Sequence, residues 1–182
     1  LKMMDVLATI TDWYEEAGFP FVLLKGLANG INYPEPLLRN PGDLDLWLYR
    51  KGDSKRAKTW LEGKGYETVD GDGIHYIFTE QDIHIENHRR ISYFDHKKCD
   101  RQLAALEQQM AEYELFPFIQ VGDVKVRQLP VETNAFFLFH HLFRHFEHLG
   151  VGFRQLCDWI LFLKNNRIQI DPVSFTALAR SY

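Results

Sequence analysis

The sequence has 182 residues, of which 46% are hydrophobic, so it is long enough for one substantial domain or for a medium domain with a small helical annex. Its net charge of -4 gives no global basic field, which argues against tight nonspecific binding to nucleic acid. No apolar run approaches the roughly 18 residues that cross a bilayer, and the N terminus lacks the basic and apolar regions of a secretory signal.

The two cysteines, Cys99 and Cys157, lie far apart in the sequence and have no paired spacing. This pattern disfavours both a disulfide framework and a cysteine zinc site. We therefore expect a soluble protein of the reducing cytoplasm that does not contact a membrane. The sequence begins at Leu1 and ends within a predicted helix, which leaves open whether further chain completes the protein.

The first part of the chain alternates between predicted helices and a short strand. Apolar residues at helical spacing predict an amphipathic helix over residues 6–17. The apolar run 21–24 predicts a strand that leads through a Lys25-Gly26 turn into a second helix within residues 27–33. Prolines then prevent regular structure in the next stretch, at Pro34, Pro36 and Pro41.

Two later segments show the period-two pattern of strands. Over residues 43–48, three leucines alternate with Asp43, Asp45 and Trp47, so both aspartates are predicted to lie on the same face. Over residues 83–88, isoleucines alternate with polar residues, namely His84, Glu86 and His88. Each strand is therefore predicted to have one apolar face and one chemically distinct face.

The other elements are predicted from turn signals and helical periodicity. Ser54 is the predicted N-cap of a helix over residues 54–61. The Asp-Gly-Asp-Gly run at residues 70–73 predicts one hairpin, and Gly122-Asp123 predicts another. A helix is predicted over residues 97–112, and only helices are predicted after Pro130.

These elements predict an α+β fold. We expect a short mixed sheet of about four to six strands with helices on one face, followed by a C-terminal helical annex that forms the far wall of a cleft. We place the α+β domain at residues 1–128 and the annex at residues 129–182.

The two aspartates of the 43–48 strand are candidate metal ligands. Carboxylates at i and i+2 on one strand face lie about 7 Å apart, close enough to converge on shared divalent ions. Glu86 on a neighbouring strand would complete a cage suited to two-metal chemistry, with Asp82 as the fallback for the third carboxylate. The alternative is that Asp-Leu-Asp forms the solvated edge of a half-buried strand.

The Lys25-Gly26 turn is a candidate phosphate-binding element. At a helix start, backbone amides and the helix dipole favour a phosphate group, and Gly26 would let the backbone approach it closely. Lys25 or Arg39 could neutralise the phosphate charge.

This combination resembles the nucleotidyltransferase superfamily that includes DNA polymerase beta and the aminoglycoside nucleotidyltransferases. It is more closely similar to a bacterial group of uncharacterised nucleotidyltransferases. The similarity is carried by Leu23-Leu24-Lys25-Gly26, Tyr33-Pro34, Arg39 before Asp43-Leu44-Asp45, and Ile83-His84-Ile85, and more loosely by His140, His141, Arg154 and Asp158. The turn departs from the superfamily because Lys25-Gly26-Leu27 offers no serine hydroxyl to the phosphates.

The resemblance implies a magnesium-dependent enzyme. Asp43, Asp45 and Glu86 would be the catalytic residues and would hold Mg²⁺, or Mn²⁺ in its place. A nucleoside triphosphate would be the substrate, and in-line attack on its α-phosphate would move a nucleoside monophosphate to an unidentified acceptor and release pyrophosphate. The residues expected to bind the nucleotide are Lys25, Gly26, Arg39 and His84.

Two other functions are compatible with the sequence. One is a catalytically silent domain of the same fold that binds nucleotide or a partner protein. The other is a metal-dependent phosphohydrolase with histidine ligands. His84 and His88 could orient an acceptor, or they could be bonded at the rim of the sheet.

A histidine-rich helix follows Pro130. On a helical wheel, His141, His145 and His148 lie beside an apolar stripe formed by Ala135, Phe139, Leu142, Phe146 and Leu149. The histidines could have a structural or surface role, could face the cleft, or could form a separate metal site, and the sequence does not choose among these.

Overall fold

The computed structural model describes residues 2–36, 39, 42–71, 73–148, 150 and 152–181. Its helices are α1 Lys2–Ala17, α2 Lys25–Gly30, α3 Asp53–Gly63, α4 Lys97–Glu112, α5 Val131–His148, α6 Phe153–Asn166 and α7 Pro172–Ser181. Its strands are β1 Val22–Leu24, β2 Leu44–Trp47, β3 Val69–Gly71, β4 His75–Glu80, β5 Ile83–His88, β6 Phe118–Val121 and β7 Val124–Arg127. Some residues used in the sequence predictions lie outside the described part, namely Pro41, Asp72, Leu149 and the side chain of His148.

The strands form one mixed sheet of seven strands in the order β3-β4-β5-β2-β1-β7-β6. In its centre, β2 pairs antiparallel with β1 and parallel with β5, and β1 pairs parallel with β7. The outer pairs are antiparallel hairpins. The predicted α+β class with a mixed sheet is confirmed, but the sheet is larger than the predicted four to six strands.

Helices cover both faces of this sheet, so the prediction of helices on one face is wrong. On one face, α1 and α3 pack through Val6, Ile10 and Leu61 against strand residues that include Leu44 and Leu46. On the other face, apolar residues of α4 and α5 pack against Val22, Leu24 and Trp47. Every residue of β1 and β2 is buried because these central strands are covered from both sides.

The start of α3 differs from the prediction. Its N-cap is Gly52, whose φ of 87° is a left-handed conformation that glycine adopts without a steric penalty. Ser54 lies inside the helix, where its buried hydroxyl donates a hydrogen bond of 3.4 Å to the carbonyl of Asn87. Ser54 therefore connects α3 to β5 and does not cap the helix.

The predicted apolar stripe of α5 is wrong in part. Phe139 and Phe146 are exposed by 42% and 71%, although Ala135 is buried as predicted. The buried aromatic residues are Phe136 and Phe137, which pack in the cluster on the sheet. Ala135 and its neighbour Leu138 pack with Phe162 of α6. Because α5 contacts two different layers, a single stripe does not describe its buried surface.

Both predicted hairpins are present, as β3–β4 and β6–β7. Cys99 is buried with its Sγ 3.3 Å from Nδ1 of His96, and Cys157 is partly buried. Among the described residues, no helix combines the length and apolar character needed to span a membrane. The division between residues 128 and 129 and the cytoplasmic location stay predictions.

Candidate active site

Three carboxylates converge at one end of the central strands. Asp45 on β2 lies directly opposite Glu86 in the parallel register with β5. Asp43 lies two residues before Asp45 and offers an oxygen to the same space, so that one oxygen from each of the three residues lies within 4.8 Å of the others. Asp45 is buried, whereas Asp43 and Glu86 are partly accessible. The structure thus brings together the three carboxylates selected from the sequence.

Lys25 supplies a positive charge to this group. Its Nζ lies 2.8 Å from Oδ1 of Asp45, and its side chain is 20% exposed. Burial alone would lower the pKa of Lys25, but Asp45, with Glu86 and Asp43, raises the pKa above its usual value. Lys25 is therefore charged, and it compensates part of the negative charge of the carboxylates.

The carboxylates respond differently to their surroundings. Burial and the neighbouring Asp45 raise the pKa of Asp43, and Lys25 only partly opposes this shift. Burial would also raise the pKa of Asp45, but Lys25 and His88 outweigh it and hold that pKa well below its usual range. Asp45 is thus a fixed anion, whereas Asp43 is protonated more easily than an ordinary aspartate.

His88 holds Asp45 and Glu86 in place. Its Nε2 lies 3.0 Å from Oδ1 of Asp45 and 3.1 Å from Oε2 of Glu86. Burial would lower the pKa of His88, but the hydrogen bonds to these two carboxylates raise it. Opposite His88 on β4 lies His75, whose role the sequence did not indicate because it depends on the cross-strand register.

Arg39 forms a buried ion pair with Asp158. Its Nε and Nη2 donate to Oδ1 and Oδ2 of Asp158 on α6 at 3.1 and 2.6 Å. The hydroxyl of Tyr33 donates to Oδ1 of the same carboxylate at 2.7 Å. The fork of Arg39 thus connects the loop before β2 to α6, and both residues line a cavity of about 200 Å³ beside Asp43.

His84 and Asp82 are not members of the carboxylate group. His84 is exposed, and its Nδ1 lies 3.2 Å from Oγ1 of Thr79. It lines a separate cavity of about 680 Å³ that also reaches Asp43 and Glu86. Asp82 lies in the turn before β5 and pairs with Lys2 at 2.8 Å, so this fallback residue does not join the carboxylate group.

Gly26 occupies a conformation that requires glycine. Its φ of 34° and ψ of -117° break the regular geometry of α2 directly after Lys25. The buried Gly26 lines the 200 Å³ cavity together with Asp43, Asp45 and Arg154. The close approach of its backbone to a phosphate stays a prediction.

His141 and His145 of α5 face the site. They line the 200 Å³ cavity and also a cavity of about 480 Å³ that reaches His75, Glu86 and Arg144. Their Nε2 atoms lie 3.1 Å apart, and burial together with the charge of Lys25 lowers the pKa of His141 to about 3. Of the alternatives left open by the sequence, the structure places these two histidines on the cleft wall.

Comparisons with known proteins bear on the fold and on the family. A search of curated proteins finds no match. Two solved structures share the fold. An antigenic nucleotidyltransferase-like protein from Paracoccidioides brasiliensis has a TM-score of 0.53 and 15% identity over 88% of this chain and 75% of its own. The antibiotic-resistance factor ANT(2'')-Ia has a TM-score of 0.63 and 12% identity over 97% of this chain and 89% of its own.

The decisive comparison is with protein families. The family described as uncharacterised nucleotidyltransferase matches residues 1–182, which is the whole chain. The similarity noted from the Lys-Gly turn and the Asp-Leu-Asp strand is therefore confirmed over the full length. The protein belongs to this family of uncharacterised nucleotidyltransferases.

Proposed function

We propose that the protein transfers a nucleoside monophosphate from a nucleoside triphosphate to an acceptor, with the release of pyrophosphate. The observation that carries this proposal is the convergence of Asp43, Asp45 and Glu86 beside Lys25 in a cleft. Membership of a nucleotidyltransferase family supports the reaction class.

The residues of the site fit Mg²⁺. Its donor atoms are carboxylate oxygens, which Mg²⁺ prefers. Asp43, Asp45 and Glu86 would hold the ion, and Mn²⁺ could replace it. When bound, divalent ions supply charge neutralisation at the phosphates and activation of the attacking oxygen.

The other residues bind and orient. Lys25 is placed to exchange its contact with Asp45 for a phosphate oxygen, because its flexible side chain reaches from the carboxylates toward the 200 Å³ cavity. Gly26 lets the backbone approach the triphosphate. His88 keeps Asp45 in position through its Nε2. Arg39 positions the loop before β2, because its Nε and Nη2 both donate to Asp158 on α6.

Two cavities that the carboxylates help to line leave room for two substrates. The 200 Å³ cavity contains the Lys25-Gly26 turn and Arg154, and we assign it to the triphosphate. The 480 Å³ cavity lies beside Glu86 and is lined by Tyr93 and Arg144, and we assign it to the acceptor. Asp43 and Asp45 line the first cavity and Glu86 lines the second, so both substrates would contact the carboxylates, as nucleotidyl transfer requires.

A catalytically silent domain of the same fold is the second candidate. Its support is the Lys25-Gly26-Leu27 turn, which has no hydroxyl for the phosphates, and the ion pair that Lys25 makes with Asp45.

A metal-dependent phosphohydrolase is a third candidate, and it would hydrolyse a phosphoester without needing an acceptor. Both candidates predict no transfer of labelled nucleotide, and the third alone predicts release of phosphate.

Calorimetry with each nucleoside triphosphate and Mg²⁺ tests the proposal. We expect magnesium-dependent binding by wild type and no binding by the Asp43→Asn/Asp45→Asn double variant. The matched control is Asp12→Asn/Asp123→Asn, which removes the same charge from two exposed aspartates. We expect this control to bind as wild type does.

Labelled-nucleotide transfer then identifies the reaction. Wild-type protein is incubated with Mg²⁺, an α-labelled triphosphate and candidate acceptors, and the double variant serves as the blank. Appearance of a labelled adduct together with pyrophosphate supports the transferase. No binding of any triphosphate by folded wild-type protein would contradict the proposal.

A further inference from the structure

A second group of potential metal ligands lies next to the carboxylates. His75 on β4 is directly opposite His88 on β5 in the antiparallel register. Glu86 precedes His88 by two residues on the same strand, so its side chain lies on the same face of the sheet. Backbone pairing alone therefore brings two imidazoles and a carboxylate together on one hairpin.

The distances in this group are close to those of a tetrahedral metal site. Nε2 of His88 lies 3.1 Å from Oε2 of Glu86, and Nε2 of His75 lies 3.9 Å from the same oxygen. One donor atom from each of the three residues lies within 4.8 Å of the others. In a tetrahedral zinc site, bonds of about 2.0 to 2.2 Å place neighbouring ligand atoms about 3.3 to 3.6 Å apart. Small side-chain rotations would therefore form the site.

The group also lies in a protected environment. The side chains of His75, Glu86 and His88 are exposed by only 12%, 18% and 5%. The imidazole rings of the two histidines lie 4.9 Å apart, and both line the 480 Å³ cavity. Limited contact with water strengthens the attraction between a divalent ion and its ligands. The remaining access through the cavity gives an ion a path to the group.

We propose that His75, Glu86 and His88 form a binding site for a divalent transition metal, with Zn²⁺ as the best fit. Imidazole nitrogens favour Zn²⁺ over Mg²⁺, which prefers oxygen ligands. Three protein ligands leave a fourth position open toward the 480 Å³ cavity, and this is the arrangement of catalytic zinc sites. The site does not depend on the proposed transfer reaction, because it is defined by metal binding alone.

Glu86 connects the two candidate metal sites. It belongs to the group with Asp43 and Asp45 and also to the group with the two histidines. Nε2 of His88 now lies 3.0 Å from Asp45, and metal binding would replace this contact while Lys25 still pairs with Asp45. A substitution of a residue that belongs to one group alone should therefore weaken the binding of one metal. Substitution of Glu86 should weaken the binding of both metals.

Titration of the metal-free protein with Co²⁺, followed by competition with Zn²⁺, tests the site. Co²⁺ reports its coordination through its visible spectrum, and we expect tetrahedral bands in wild type. His75→Asn should weaken Co²⁺ and Zn²⁺ binding at least about 100-fold, since even outer-shell partners contribute 10- to 100-fold. The matched control His96→Asn changes an exposed histidine that belongs to neither group of ligands and should bind as wild type does.

Two further variants distinguish the sites. Asp43→Asn should abolish magnesium-dependent triphosphate binding and retain the tetrahedral Co²⁺ bands, whereas Glu86→Gln should lose both. If Co²⁺ shows octahedral bands that disappear in Asp43→Asn and persist in His75→Asn, the ion binds only the carboxylates and the proposal is overturned. If the variants misfold, X-ray absorption spectroscopy of the zinc-loaded wild type tests the proposal. Two imidazole ligands on the zinc would support the site, and oxygen ligands alone would overturn it.

Discussion

The ammonium of Lys25 lies 2.8 Å from Oδ1 of Asp45, at the centre of the carboxylate group. The same oxygen lies 3.0 Å from Nε2 of His88, so a buried carboxylate is held from two sides. A cation that binds Asp45 must displace or share the contact with Lys25. The lysine is therefore both a competitor of the metal and a candidate ligand of the phosphates.

Lys25→Met should change metal binding and triphosphate binding in opposite directions. Removal of the competing ammonium should tighten the binding of free Mg²⁺ about tenfold, or about 1.4 kcal/mol. Loss of the phosphate contact should weaken the binding of the magnesium complex of the triphosphate by about 10- to 100-fold. Calorimetry with Mg²⁺ alone and with the complex measures both effects.

The control for this variant is Lys55→Met, which removes an exposed lysine from α3. Both affinities should equal those of wild type. Weaker binding of free Mg²⁺ by Lys25→Met would show that the lysine does not compete with the ion for Asp45.

Asp158→Asn should strongly destabilise the fold. The substitution leaves the buried guanidinium of Arg39 without its charged partner and weakens the contact with Tyr33. Breaking a buried pair of this kind costs about 3 to 5 kcal/mol, because one charge stays buried and uncompensated. Urea denaturation should show this loss as a lower midpoint with an unchanged slope.

Glu114→Gln provides the comparison for a surface ion pair. Glu114 accepts from Arg50 at 2.8 Å, but both side chains are about half exposed, at 47% and 53%. Solvent screening limits such pairs to less than about 1 kcal/mol. Equal effects of the Asp158 and Glu114 variants would contradict a structural role of the Arg39–Asp158 pair.

The local elements were largely predictable from the sequence. Helix α4 has the predicted bounds, since its amphipathic periodicity needs no knowledge of its partners. Glycine and aspartate located the two hairpins for a similar reason, because these residues favour turns on their own. The alternation in β2 and β5 also placed Asp43, Asp45 and Glu86 on the faces that converge, although their catalytic role stays a prediction.

Features that depend on long-range pairing were not predictable. Strand β1 pairs with β7, about a hundred residues later, and this contact extends the sheet beyond its predicted size. The approach of His75 to His88 follows from the register of β4 with β5, which no local pattern encodes. Arg39 was expected to face phosphate, whereas Asp158, 119 residues away, engages its fork.

Tyr14→Phe should destabilise the protein without changing nucleotide binding. Nδ2 of Asn87 donates to the hydroxyl of Tyr14 at 2.6 Å, and both residues are essentially inaccessible to solvent. This bond fixes β5 to α1 on the face of the sheet opposite Glu86 and His88. Loss of the acceptor leaves the buried amide of Asn87 unpaired. Urea denaturation should therefore show a free energy of unfolding that is lower by about 1 to 3 kcal/mol.

A double-mutant cycle with Asn87→Leu checks the origin of this effect. Asn87→Leu alone removes the hydrogen-bond partner of the Tyr14 hydroxyl, whereas the double variant removes both polar groups. The double variant should therefore lose less stability than the sum of the single variants, with a coupling of about 0.5 to 3 kcal/mol. Additive losses would mean that the two side chains do not stabilise each other.

Burial of His140 should make the stability of the protein depend on pH. His140 is 8% exposed, packs against Phe94 and Phe136, and has its Nδ1 3.1 Å from Oγ of Ser92. Burial, with a contribution from Arg144, lowers the pKa of His140 to about 4. The folded protein then binds fewer protons than the unfolded chain, so this stabilisation is complete above about pH 6.5 and is lost as the pH falls toward 4.

His140→Gln isolates this contribution, because glutamine can still bond to Ser92 but does not titrate. Between pH 7.5 and pH 5, wild type should lose about 2 kcal/mol more stability than the variant. Urea denaturation at intervals across this range compares the two slopes, and a constant packing defect in the variant cancels from the comparison. Parallel profiles would show that His140 takes up its proton equally well in the folded and unfolded chain, which its burial between two aromatic rings argues against.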